Sequence, residues 1–204
     1  MLKKFVLGTI AAVVLAACGG EGSNSASSTP AQPGSASGSL IERINNKGTI
    51  TVGTEGTYAP FTYHDKDGKL TGYDVEVTRA VADKLGVKVE FKETQWDSMM
   101  AGLKAGRFDV VANQVGLTSP ERQATFDKSE PYSWSGAVLV ARKDSNIKSI
   151  DDIKGVKTAQ SLTSNYGEKA KAAGAELVPV DGLAQSLTLI EQKRADATLN
   201  DELA

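Results

Sequence analysis

The sequence predicts an α/β fold in two lobes. From Thr49 to Leu199, short β-forming runs alternate with stretches whose apolar residues recur at helical spacing. Alternation of that kind builds mainly parallel sheets with helices packed against them. A loop containing Pro131 and Tyr132 interrupts the series, and a second series starts near Ser135. The predicted lobes are therefore 40–134 and 135–204, and a chain of 204 residues is long enough to give each a core.

The elements follow in order. Ser39 caps a short helix over Leu40, Ile41 and Ile44 that Gly48 stops, and Thr49–Gly53 is a strand. Phe61-Thr62-Tyr63 and Leu70-Thr71 form hairpin arms around Asp67-Gly68, a dipeptide suited to a tight turn. Tyr73–Leu85 is a helix, with Val77, Ala80, Val81 and Leu85 as its apolar stripe and Gly86 as terminator. Val87–Phe91 is a strand, Trp96–Ala105 a helix with Trp96, Met99, Met100 and Leu103 on one face, and Phe108–Ala112 a strand. In the second lobe, Gly136–Ala141, Val156–Gln160, Ala175–Val180 and Ala195–Leu199 are strands, and Ser164–Ala173 and Leu183–Lys193 are helices. The chain stops at Ala204 just as another helix is expected to begin.

The first residues stand apart from this fold. Lys3 and Lys4 precede an apolar run, Phe5–Ala17, that is shorter than the ~20 residues a membrane-spanning helix needs. Its length suits the core of a secretory signal. The run ends in Leu15-Ala16-Ala17-Cys18, which resembles the lipobox of bacterial lipoproteins, where cleavage precedes a cysteine that then carries lipid. Residues 1–17 are thus expected to be a signal peptide and Cys18, the sole cysteine, the lipidation site and membrane anchor. From Gly19 to Ser39, every residue except Glu21, Asn24, Thr29 and Gln32 is Gly, Ser, Ala or Pro. Such a segment buries too little apolar surface to offset its ordering entropy, so 18–39 is expected to be a flexible tether.

Charge and composition exclude several functions. With 23 basic and 25 acidic residues and a net charge of -2, the chain lacks the basic excess that nucleic-acid binding needs. It has one histidine, one cysteine, no metal-ligand spacing, no phosphate-binding loop and no nucleophile elbow. No catalytic residue, metal or cofactor is expected. His64, in a polar hairpin beside Asp65 and Asp67, reads as solvated.

In open α/β sheets, ligands bind beyond the carboxyl ends of the strands. The residues trailing the predicted strands are Glu55 and Tyr58, then Trp96, then Asn113, Gln114, Thr118 and Arg122. In the second lobe they are Ser161, Thr163, Ser164 and Asn165, then Asn200 and Asp201. This set suits a free amino acid. Arg122 can take a carboxylate bidentately, and the helix start at Thr163–Asn165 offers unpaired N–H groups to the same anion. Asp201 can accept from an α-ammonium, and Tyr58 and Trp96 can wall the side chain. Other readings stay open: Arg122 at the surface or paired with Glu121 or Glu130, Trp96 as core, Thr163 as a cap alone. Asp74 and Glu76 read as acids favouring the first turn of their helix.

Several stretches together carry a resemblance. Gly72-Tyr73-Asp74-Val75-Glu76-Val77, followed by Val81-Ala82 and Leu85, resembles the signature of the polar amino-acid family, family 3, of bacterial extracellular solute-binding proteins. TEGTYAPF at 54–61 looks like its first ligand loop, DVVANQVGLTSPER at 109–122 like the segment ending in its carboxylate-binding arginine, and RADATLNDE at 194–202 like the segment with its ammonium-binding aspartate. The resemblance runs from Leu40 to Ala204. It implies a two-lobe periplasmic-binding-protein-like (type II) fold with its C-terminal part missing, since family members run longer. It also implies Arg122 for the α-carboxylate, Asp201 for the α-ammonium, backbone groups near Gly116 and Thr118, Thr163 and its neighbours, and Tyr58 and Trp96 as walls.

The Glu-Gly-Thr-Tyr loop, Gln95-Trp96-Asp97 and Asn113-Gln114-Val115 look most like the cystine-binding branch. Glu55 stands where binders of basic amino acids often carry an acid, which keeps lysine, arginine and histidine open as ligands. Ser161-Leu162-Thr163 departs from the family's glycine-containing loop, so the donor there is Thr163 or Ser164. The implied partners are a small amino acid, an ABC-type permease and, through Cys18, a membrane; the protein would act as a monomer in the periplasm or at the cell exterior. The rival readings are an enzyme on the same scaffold, a dehydratase or murein lyase, and a sensory lipoprotein.

Overall fold

Strand β1 (Thr49–Thr54) is the centre of the first sheet and is buried along nearly its whole length. It pairs in parallel with β5 (Lys88–Glu93), Thr49 opposite Lys88 through Thr54 opposite Glu93, and with β6 (Val110–Val111), giving the order β5-β1-β6. This is a computed structural model, and it describes residues 38–204. The signal run Phe5–Ala17, Cys18 and most of the predicted tether lie outside the described residues.

Local chemistry places the helices. Helix α1 (Leu40–Lys47) starts at a capping box: the Glu42 amide donates to Ser39 Oγ at 3.3 Å and the Ser39 amide to Glu42 Oε2 at 2.7 Å. It ends at Gly48, whose left-handed backbone carries its N–H back to Ile44 and Asn45. Helix α2 (Tyr73–Leu85) ends likewise at Gly86. Ile44, Ile50, Val52 and Ala82 form one apolar cluster with Val87, Val89, Phe91 and Val110 around it. Helix α3 (Trp96–Lys104) buries Met99 completely. The Phe108 ring lies against two glycines: a Cβ at Gly53 or Gly102 would come within 2.7 Å of it.

The second sheet has the order β7-β10-β8-β9, from β7 (Ala137–Ala141), β10 (Ala197–Asp201), β8 (Lys157–Gln160) and β9 (Glu176–Pro179). Strand β10 runs parallel to β8 and antiparallel to β7. Helices α5 (Asn165–Ala172) and α6 (Leu183–Glu191) cover it, and two apolar clusters form, around Ile153, Ala170, Ala197 and Leu199 and around Ala159, Val180, Leu189 and Ile190. The described residues make one compact unit that holds both sheets.

Several expectations need correction. The predicted stripe of α2 is not its buried face: Val81 and Leu85 are exposed, and Asp74, Val75 and Ala82 are buried instead. The strand read as Phe108–Ala112 is shorter, Val110–Val111, flanked by the Asp109 and Ala112 amides donating to the Thr51 and Gly53 carbonyls, and Phe108 turns into the core. The last strand lies two residues later than predicted, so Asn200 and Asp201 belong to β10. Three elements were not predicted: β2 (Thr57–Tyr58), which makes the hairpin of β3 (Thr62–His64) and β4 (Leu70–Thr71) a three-stranded sheet, a 3-10 turn at Ile150–Ile153, and α4 (Pro120–Thr125). Ser119 before Pro120 and Glu121 was a legible helix start.

Candidate functional site

The site forms where the carboxyl end of β1 meets the loop after β6. Thr54 donates to Thr62 Oγ1 at 2.8 Å, and the same oxygen accepts from the Gly56 amide. Buried Asn113 clasps the next residue: its Oδ1 accepts from the Glu55 amide at 2.8 Å and its Nδ2 donates to Glu55 Oε2 at 2.6 Å. Burial pushes the Glu55 carboxyl above its ordinary value, opposed by the Asn113 amide and reinforced by the nearby Asp97.

Arg122 is buried and points inward, so neither the surface position nor a pairing with Glu121 or Glu130 applies. Helix α4 positions it: Ser119 Oγ, at the N-cap, accepts from the Arg122 amide. Its Nη1 donates to the Gly116 carbonyl at 2.9 Å and its Nη2 to the Thr163 carbonyl at 2.7 Å, while its guanidinium stands 5.6 Å from the centre of the Trp96 ring. The guanidinium thus joins the two sheet regions.

Two further contacts cross the same gap. Asp97 accepts from the Thr163 amide at 3.0 Å, the Thr163 hydroxyl at 2.7 Å and the Leu162 amide at 3.3 Å. The Tyr58 hydroxyl donates to Asn200 Oδ1 at 2.7 Å, and its ring packs on Phe61. Thr163 therefore does not cap α5; Ser164 does, accepting from the Gly167 amide at 2.9 Å.

These elements enclose a cavity of about 50 Å³. Of the predicted residues, Glu55, Tyr58, Trp96, Asn113 and Gln114 line it from one side and Ser164 and Asn165 from the other. Thr57, Gln160, Tyr166, Gly182, Leu183 and Ser186 line it too and were not predicted; all but Thr57 belong to the second sheet region. Ser161 and Asn200 also line it. Arg122, Gly116 and Thr163 stand behind the lining through the bonds already described, and Thr118 is exposed. A wider space of about 360 Å³ adjoins at Glu55, Thr57 and Gly182, with Glu93 and Asp181 on its walls.

Asp201 departs from expectation. Successive residues of a strand face opposite sides; Asn200 lines the cavity, whereas Asp201 does not and sits beside the lining residue Tyr166. The Asp201 carboxylate accepts from Ser135 Oγ and from the Leu203 amide. It stays close enough to help push the Tyr166 phenol up to about 12, second to burial.

Asp74 is the other correction. It is fully buried, and it accepts from the Gln114 amide at 2.7 Å and from Gln114 Nε2 at 2.6 Å. Those bonds hold Gln114 at φ 51, a conformation unusual for a side-chain-bearing residue. Gln114 Oε1 in turn accepts from Ser133 in the connection between the two sheets, and Tyr73 donates to the Tyr132 carbonyl beside it. Burial raises the Asp74 carboxyl. His64, exposed as expected, is nevertheless held, with Nδ1 3.1 Å from the Gly56 carbonyl and Nε2 3.1 Å from Glu93. Among the described residues no group of His, Cys, Asp and Glu is arranged to hold a metal, and no helix is long and apolar enough to cross a membrane.

Two sheet regions with a polar gap between them, crossed by an inward arginine and ringed by strand ends, define a binding fold of the solute-clamp class. The chain belongs to the bacterial extracellular solute-binding proteins, family 3, whose model matches residues 50–203. It is 62% identical over 82% of its length to a probable amino-acid ABC transporter-binding protein of Haemophilus influenzae, and 55% identical over its full length to the L-cystine-binding protein TcyA of Bacillus subtilis. It spans 65% of the first and 74% of the second. Among solved structures, the ancestral amino acid-binding protein AncCDT-1, a precursor of cyclohexadienyl dehydratase, is 36% identical with a TM-score of 0.74 over 80% of this chain and 74% of that one. The unliganded, open L-cystine solute receptor of Neisseria gonorrhoeae is 96% identical over 81% of this chain and 71% of that one, with a TM-score of 0.48. These relatives are solute-binding proteins rather than enzymes, and the fold is the two-lobe, type II binding-protein fold.

Proposed function

We propose that this protein captures an amino acid outside the cytoplasm, with cystine the favoured ligand, and delivers it to an ABC-type permease. The observation that carries this is Arg122: a buried guanidinium in the cleft whose present partners are two neutral carbonyls. A ligand carboxylate is a stronger partner, since charge-assisted hydrogen bonds are roughly twice as strong as neutral ones. The identity to a cystine-binding relative supports the choice of ligand.

In this reading Arg122 takes the α-carboxylate, helped by backbone groups near Gly116, Thr118, Thr163 and the start of α5. Tyr58 and Trp96 wall the ligand, and Glu55, Asn113, Gln114, Ser164 and Asn165 contact its polar groups. Asp201 takes the α-ammonium after its side chain leaves Ser135. At about 50 Å³ the cavity is small for an amino acid. In this reading ligand entry parts residues 40–134 and 135–204 as two lobes, about the connection near Tyr132–Gly136. Once a signal peptide at 1–17 is removed, lipid such as palmitate on Cys18 and a tether at 18–39 would hold a monomer at the membrane.

Calorimetric titration with L-cystine, L-cysteine, L-glutamine and L-arginine tests the reading. Cystine should bind most tightly and Arg122→Ala should abolish its heat. No heat from any of the four, or an unchanged affinity in Arg122→Ala, overturns it. Loss of radiolabelled palmitate from Cys18→Ala tests the anchor.

A further inference from the structure

Trp96 carries a polar atom that nothing in the fold employs. The residue is 8% exposed and lines the cavity, yet its Nε1 is buried without a hydrogen-bond partner among the described residues. An indole N–H can only donate, and buried donors left unpaired are rare in folded proteins because desolvation is then uncompensated. Acceptors elsewhere along the gap serve other groups. The Gly116 and Thr163 carbonyls take Arg122, Asn113 Oδ1 takes the Glu55 amide, and the Asp97 carboxylate takes Leu162 and Thr163.

We propose that Trp96 is a hydrogen-bond donor to the ligand as well as a wall of the site, its indole N–H giving a bond to a carboxylate oxygen of the bound amino acid. The class of acceptor follows from Arg122, whose guanidinium lies 5.6 Å from the Trp96 ring centre. A carboxylate drawn to Arg122 arrives beside the indole. The inference rests on the solute-binding reading of the site. It adds a specificity device: a ligand with an amide or ester in place of the carboxylate loses strength at both donors together.

The chain has one other tryptophan, Trp134, which is 80% exposed and sits in the connection near Tyr132–Gly136, so a Trp134→Phe variant assigns the Trp96 resonance. Indole ¹H–¹⁵N spectra of the full chain, recorded with L-cystine, L-glutamine and L-arginine in turn, should show the Trp96 resonance moving downfield and exchanging more slowly with solvent as the site fills. Replacing Trp96 by benzothienylalanine, which keeps the ring shape and removes the N–H, should weaken cystine binding by about 10- to 100-fold. If that variant does not fold, the spectrum of the unaltered chain decides alone. A Trp96 resonance unmoved at saturation, or a variant that binds as tightly as the parent, overturns the donor and leaves the solute-binding reading standing. Binding of none of the three amino acids overturns both.

Discussion

The Tyr58 hydroxyl donates to Asn200 Oδ1 at 2.7 Å, joining a loop of the first sheet region to a strand of the second across 142 positions of sequence. Burial raises the phenol, so it remains a donor at any physiological pH. Tyr58→Phe deletes the bond and keeps the ring on Phe61. With a net contribution of about 0.5–1.5 kcal/mol, its loss should weaken ligand affinity about two- to tenfold. Calorimetry checks the affinity, and small-angle scattering of the unliganded variant should report a larger radius of gyration.

Arg122→Lys tests geometry apart from charge. A lysine keeps the cation but lacks the planar fork that reaches Gly116 and Thr163 together. Losing one charge-assisted bond should cost about 1.5–3 kcal/mol of binding. Affinity equal to the parent's would show that charge alone suffices.

Glu55 makes stability depend on pH. Its folded-state carboxyl is raised by burial, so the folded chain takes up this proton more readily than the unfolded chain does. That contribution is fully present below the ordinary value of 4.5 and is lost as pH rises through the raised value. Glu55→Gln keeps an acceptor for Asn113 and removes the charge. Its melting temperature should exceed the parent's near pH 7, with the difference shrinking below pH ~4.5. Equal differences at both pH values would refute the assignment.

Gly53→Ala tests the packing under β1. The added Cβ would meet three ring atoms of Phe108 at 2.7, 2.8 and 2.9 Å. Overpacking of this kind costs about 1–3 kcal/mol, read from the urea midpoint. Adding Phe108→Leu should recover part of the loss, whereas simple additivity of the two changes would deny the contact.

The fold was legible where local rules act alone. Helix α2 was predicted residue for residue because Gly86 ends it with a left-handed cap, and β1, α1 and α6 began where their caps or patterns placed them. The face of α2 was not legible. Periodicity alone fitted Val81 and Leu85, and the buried Asp74 won because it bonds a residue forty positions away. The site was half legible for a related reason. Strand ends pointed to Glu55, Trp96 and Asn113, while Gln160, Tyr166 and Ser186 enter through packing of the second sheet, which no local pattern encodes. Asp97, singled out in the sequence only as part of Gln95-Trp96-Asp97, grips Thr163 across the gap. Asn200 and Asp201, both expected in the loop after the last strand, lie within β10, and only Asn200 lines the cavity.

Each of the three apolar clusters sits on a single sheet, and the bonds that cross the cleft are between polar groups. Parting the halves therefore uncovers surface that water can satisfy and strips little oil from any core. Movements of that kind leave a small heat-capacity signature, because that quantity follows apolar hydration. On the proposed opening, the enthalpy should thus be nearly flat with temperature, so a plot of ln K against inverse temperature should run close to straight.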